Sequence, residues 1–225
     1  MHARISHRLG TPRLDRQGWW HLPWSVVAAI ALGLALATAP PVQAKTFHCG
    51  AGDVPCLIAA INAANTNGKK NTIRLAAGTY PLTAVDNDTD GANGLPVITS
   101  TLSIRGAGAT TTSIRRDASA PAFRLLRVAA TGVVTLQGLT LSGGAPFFVD
   151  GGGIFNSGTM KITQSTITAN GAGGSRGGGI FNSGTLTVTQ STITANDSSL
   201  AEAGGIFNQE IPLSLLRGYR IKGRA

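Results

Sequence analysis

The sequence predicts an all-β protein, a right-handed single-stranded parallel β-helix with a short N-terminal capping helix. Three observations predict it: a tandem repeat of 26 residues, strict alternation of apolar residues within each copy, and a composition rich in Gly (30 residues) with only 5% aromatic and 13% charged residues. The block GGGIFNSGTMKITQSTITAN at 151–170 recurs as GGGIFNSGTLTVTQSTITAN at 177–196, and a third copy opens with Ala203-Gly-Gly-Ile-Phe-Asn208, again 26 residues on. An earlier, diverged copy places Gly132, Val134, Leu136 and Leu141 in register with Gly158, Met160, Ile162 and Ile167. A fixed period of this length is the mark of a stacked architecture.

Within a copy, Met160 and Ile162 alternate with polar residues, as do Leu186 and Val188. That is a strand period, and the abundance of Thr and Val favours strands. Gly and Asn lie between the runs, where turns call for positive φ. A coil of this length holds three short strands and three turns, each strand pairing in parallel with its equivalent about 4.8 Å away. Stacking then places like on like. Ile154, Ile180 and Ile206 form an inward column, as do Ile167 and Ile193. Phe155, Phe181 and Phe207 stack as a ladder, and Asn156, Asn182 and Asn208 form a polar ladder of side-chain amides, with Asn170 and Asn196 as a second. All of these repeated residues are read as builders of the coil.

Ahead of the repeats, residues 45–208 are expected to form one body with its cap at about 53–65 and regular coils at about 128–208. Asp53 suits an N-cap, with Val54, Ile58, Ile61 and Ala64 facing inward to close the open end of the stack. Ile73 and Leu75 begin the strands; Leu102–Ile104, Thr112–Ile114 and Leu125–Val128 continue them. Cys49 and Cys56 are close enough in sequence for a local disulfide; a buried free Cys56 on the helix, or no bond, are the alternatives.

Residues 1–44 read as a signal peptide: a basic start with Arg4, Arg8, Arg13 and Arg16, a charge-free apolar run from Ser25 to Ala39, and Val42-Gln43-Ala44 before the expected cleavage point. The protein is therefore expected outside the inner membrane, secreted or on the surface of a bacterium. The net charge of +9 lies mostly at the two ends, with +3 in residues 1–44 and +3 from Gln209 onward, leaving +3 for the body. A basic patch on the folded surface is what nucleic-acid binding requires, so no nucleic-acid partner is expected. At Glu210 the register calls for Gly, and the basic segment 209–225 shares nothing with the repeat; it reads as an aberrant tail left by truncation or a frame shift, an evolved cap being the alternative.

The Gly-Gly-Ile-Phe-Asn motif with Ser-Gly-Thr-Leu-Thr-Val-Thr-Gln-Ser-Thr-Ile resembles the right-handed β-helix repeats of bacterial surface proteins, including the polymorphic outer-membrane proteins. The stretch Cys56-Leu-Ile-Ala-Ala-Ile-Asn-Ala-Ala-Asn65, followed by Asn71-Thr-Ile-Arg-Leu-Ala-Ala-Gly-Thr-Tyr80, resembles the N-terminal region of CSLREA-domain proteins, with Cys56-Leu-Ile-Ala-Ala-Ile where that family carries Cys-Ser-Leu-Arg-Glu-Ala. The resemblance implies an exported protein with a pectate-lyase-like β-helix.

Enzymes on this fold work with paired aspartates or a calcium–aspartate cluster with an Arg base. The motifs of the polygalacturonases are absent except for Arg220-Ile-Lys222 in the tail, and the repeat body has only Asp150 and Asp197. Gly173-Gly-Ser-Arg-Gly177 matches a serine-hydrolase pattern, but no His follows it to act as base. Asp86, Asp88 and Asp90 resemble half of a calcium loop; position twelve of an EF-hand would be Val97, so only a looser calcium site is a candidate, against a plain solvated turn. Arg115, Arg116, Arg124 and Arg127 read as solvated side chains of the outer wall, or as contacts for anionic glycans or lipopolysaccharide. The expectation is a non-catalytic, adhesin-like scaffold that binds glycans or other cell-surface components and needs no cofactor. A remnant of a carbohydrate-active enzyme and a non-functional fragment are the alternatives.

Overall fold

The computed structural model describes residues 43–198 and 203–209. The part of the expected signal peptide up to residue 42, the loss of register at Glu210 and the basic tail beyond it lie outside the described residues.

Fifteen strands among the described residues stack into three parallel sheets, the architecture of a parallel β-helix. The first sheet runs β1 (Thr46–Cys49), β2 (Asn71–Leu75), β4 (Thr101–Arg105), β7 (Val133–Gln137), β10 (Thr159–Thr163), β13 (Thr185–Thr189). The second runs β3 (Gly78–Leu82), β5 (Thr112–Arg116), β8 (Thr140–Ser142), β11 (Thr166–Thr168), β14 (Thr192–Thr194). The third holds β6 (Leu126–Val128), β9 (Ile154–Asn156), β12 (Ile180–Asn182) and β15 (Ile206–Asn208). Each strand has one face in the core and one in solvent, which is why these parallel strands alternate apolar and polar residues.

The repeat maps onto the stacking without slippage. Thr159 pairs with both Val133 and Thr185, an interval of 26 on each side. Ile154, Ile180 and Ile206 share one column, and Ile167 and Ile193 another. The Phe rings stack at 4.8 Å (Phe155–Phe181) and 5.4 Å (Phe181–Phe207). Asn156 donates to Asn182 Oδ1 and Asn182 to Asn208 Oδ1, each at 2.6 Å, while Asn170 donates to Asn196 Oδ1 at 3.0 Å. Each amide also bonds a main-chain carbonyl at the adjoining turn, so a buried polar column costs little.

The turns depart in part from expectation. Asn156 and Asn182 are buried strand residues, and Gly158 and Gly184 do not have positive φ. Left-handed backbone falls at the repeat glycines Gly151 and Gly177 (φ 75° and 68°), as expected, and also at Gln164 and Gln190 (φ 50°) and at Ala169 and Ala195 (φ 52° and 51°). The equivalents of Gln164 and Ala169 one coil earlier are glycines, Gly138 and Gly143 (φ 63° and 78°). A β-carbon in this region costs about 1–2 kcal/mol. Ala169→Gly should therefore raise stability by roughly 0.5–1 kcal/mol after the entropy cost of glycine, read as a higher midpoint in urea unfolding; a lower midpoint would contradict it.

The cap forms as α1 (Val54–Thr66), with the Asp53 carboxylate accepting from Cys56 N. Its buried face is Leu57, Ala60, Ile61 and Ala64, while Val54 and Ile58, expected inside, sit at its margin. The i, i+3, i+4, i+7 spacing is kept, but the stripe is turned by about one position. Pairing also starts earlier than expected: β1 joins β2 in register, with Phe47 opposite Ile73. A Cys49–Cys56 disulfide ties this first strand to the helix. At the other end of α1, Asn65 donates to Val97 O and accepts from Thr99 N and Ser100 Oγ.

Candidate functional site

The coils are longest before the regular repeats begin. Asn71 pairs with Leu102 and Gly78 with Thr112, intervals of 31 and 34 residues. The extra residues form a loop at 85–94. It packs beside the turn at 145–151, which itself stacks on the turn at 173–176. Phe147 pairs with Gly173 across two coils, and Val149 lies against Gly91.

Arg124 holds these segments together. It is fully buried, the largest such side chain among the described residues. Its guanidinium donates to Asp150 O, Gly151 O, Asn93 Oδ1 and Asp90 O at 2.6–3.3 Å, and lies 5.0 Å over the Phe155 ring. Burial, with help from the neighbouring Arg127 charge, pushes its pKa down to about 10. The outer-wall reading of the four arginines is thus corrected for Arg124. Arg127 pairs with the Asp90 carboxylate and also lies over the Phe155 ring, at 5.5 Å. Arg116 donates to the carbonyls of Gly143 and Ala120, and only Arg115 is an exposed side chain. The sequence hid this because a buried Arg needs carbonyl acceptors from other coils, and those came from non-repeating loops.

The three carboxylates read as a calcium candidate lie on the same 85–94 loop. Asp86, Asp88 and Asp90 are exposed, and among the described residues no three His, Cys, Asp or Glu gather to hold a metal ion. Asp90 is committed to Arg127, and Asp86 accepts from Asn87. The loop is organised instead by buried Asn93, which donates to Asn87 Oδ1 and to the carbonyls of Thr89 and Gly91.

One coil further on, Asp150 accepts from Ser175 Oγ, Arg176 N and the Arg176 guanidinium. Burial by itself would raise its pKa, but these hydrogen bonds outweigh burial and hold the carboxyl below its usual value. Arg176 continues the aromatic contacts, 5.0 Å over Phe181 and 4.8 Å over Phe207. The Phe ladder is therefore clad on its outer side by arginines. Because the folded pKa of Asp150 is depressed, its contribution is present above about pH 4 and is lost as pH falls through the folded value. Asp150→Asn should lower the urea midpoint at pH 7 and have a smaller effect at pH 3; equal effects at both would show that the carboxylate charge is immaterial.

Two side chains on this face were not singled out from the sequence. Phe147 and Phe148 are 70% and 80% exposed, whereas Phe155 and Phe181 are covered. Phe148 has a φ of 55°, a rare conformation for a bulky residue. Phe148 N donates to Gly173 O, and the two rings lie over Gly173 and Gly174, where any β-carbon would come within about 3.0 Å of them. The glycines provide a flat seat, and the rings keep their outer faces in solvent. The only sequence signal was an adjacent aromatic pair outside the repeat. A scan of protein-family models finds no match to the chain, and a search of curated proteins finds none either.

Proposed function

We propose that this protein is an exported, non-catalytic β-helix scaffold that binds glycans at the bacterial cell surface through the Phe147–Phe148 platform. The exposed aromatic pair carries the reading. An aromatic ring fixed on a rigid scaffold offers the apolar surface against which the C–H face of a pyranose packs, and Ser175, Arg176 and Asp150 lie on the adjoining turn to supply polar contacts. Two rings that pack on the adjoining turn by one face only, one of them on a left-handed backbone, leave the other face open to a ligand.

Export is supported by the basic, apolar and small-residue order of residues 1–44, and by a disulfide that suits an oxidising compartment. The resemblance of 46–208 to CSLREA-domain and polymorphic outer-membrane-protein repeats points the same way. Against a glycan-cleaving enzyme stands the state of Asp150. A general acid needs a raised pKa, and this carboxylate is held low by Arg176.

The purified protein should bind a subset of a glycan array, and Phe147→Ser/Phe148→Ser should weaken that binding at least tenfold while leaving the unfolding midpoint unchanged. Equal binding by the variant, or new reducing ends released from polygalacturonate, would overturn the reading.

A further inference from the structure

The outer face of the first sheet bears an arrangement that coil building does not explain. Its strands run one above the other, so Arg74 on β2 stands directly beneath Arg105 on β4, about 4.8 Å away along the stack. His48 occupies the position before them, and Gln137 the position after. In the later coils the same column holds Thr163 and Thr189. Like charges in direct register repel, and no carboxylate answers them: the six strands of this sheet contain neither Asp nor Glu, and among the described residues neither arginine has an ion-pair partner. Arg105 is steadied by Ser103, whose Oγ accepts from its Nε at 3.2 Å.

Both side chains border a cleft of about 420 Å³ at the turn between the first and second sheets. Its floor is the main chain of Gly106–Ala109, and its far side carries the amides of Gln137 and Gln164, which are themselves hydrogen-bonded. The cleft thus presents two guanidinium groups from adjacent coils that no carboxylate answers, two amide side chains and a glycine-rich floor. Gly106 leaves no room for a β-carbon, which would come within 2.3 Å of Gly138 O, so the narrow floor is built in.

We infer that this cleft is a binding site for a tetrahedral oxyanion, a phosphate or sulfate ester borne by a ligand. Two guanidinium groups from adjacent strands bordering one cleft suit an anion of more than one charge with three or more free oxygens, each fork taking two of them. Such an anion removes the repulsion that the stacked arginines otherwise suffer. The site lies on a different turn of the coil from the Phe147–Phe148 platform and stands independently of the glycan reading.

The test is titration of the purified protein with inorganic phosphate, glucose 1-phosphate, inorganic sulfate and acetate, followed by amide chemical shifts and calorimetry. Phosphate or sulfate should shift the amides of Gly106–Ala109, and Arg74→Gln and Arg105→Gln should each weaken binding at least tenfold with the thermal midpoint kept or raised. Tighter binding of glucose 1-phosphate than of inorganic phosphate would assign the anion to a sugar ester, and the reverse to the free ion. Arg115→Gln, an exposed arginine on the neighbouring sheet, should leave binding unchanged. Binding of acetate as tight as phosphate, an equal loss in Arg115→Gln, or no shift at Gly106–Ala109 would overturn the assignment.

Discussion

Arg124→Met should destabilise the protein by about 3 kcal/mol, measured by equilibrium urea unfolding, with hydrogen exchange speeding up first in residues 85–94 and 145–151. A buried charge replaced by an apolar side chain of similar volume is often tolerated, because the cost of desolvating it disappears. Here that gain is real, since burial has already pushed the Arg124 pKa down to about 10. It is outweighed because the partners stay behind. The acceptors are main-chain carbonyls of Asp90, Asp150 and Gly151 and the amide oxygen of Asn93. Met removes their donor but not their need for one, and each buried orphan costs about 1–3 kcal/mol. Arg124→Lys should recover little, as one ammonium cannot reach four acceptors spread over two loops. A loss below 1 kcal/mol in the Met variant would mean that the loops hold one another without Arg124.

Gly158→Ala should cost about 3 kcal/mol or more. The added β-carbon would sit 2.3 Å from Gly132 O and 2.4 Å from Ala129 O, both main-chain atoms of the coil before. Neither can move aside, because Gly132 O accepts from Thr159 N, and Gly158 O accepts in turn from Thr185 N. Shifting the turn therefore strains three coils at once, along with the Asn156 amide that bonds both ends of Gly158. Gly50→Ala is the control: its β-carbon meets nothing within 4 Å, and its φ is not in the left-handed region. The control should unfold within about 0.5 kcal/mol of the wild type. Similar midpoints for the two variants would show that close stacking of the coils is not what requires glycine at 158.

Glycine 158 also shows where local reasoning misassigned a cause. A turn glycine between two strands suggests positive φ, yet this one is kept for want of space, while left-handed backbone is found at Gly151 and also at Gln164 and Ala169. Composition cannot separate the two uses, since both are met by a missing side chain. The helix face was displaced for a related reason. Asp53 marks where α1 begins, but which stripe is buried depends on how the helix lies over β1 and β2.

The sequence by itself determined the stacked coil, the parallel pairing and the inner columns. A period of 26 combined with strand alternation leaves one register in which Ile154, Phe155 and Asn156 each fall on their own kind, and the structure adopts it. Only the tertiary structure decided the fate of the residues outside that period. It buried Arg124 under loops from two neighbouring coils, bound Asp90 to Arg127, left Phe147 and Phe148 in water, and set Arg74 beneath Arg105. The physical reason is the same in each case. A repeat specifies its own neighbours, whereas an inserted loop meets whatever the adjacent coil presents, and that meeting is a property of the folded stack.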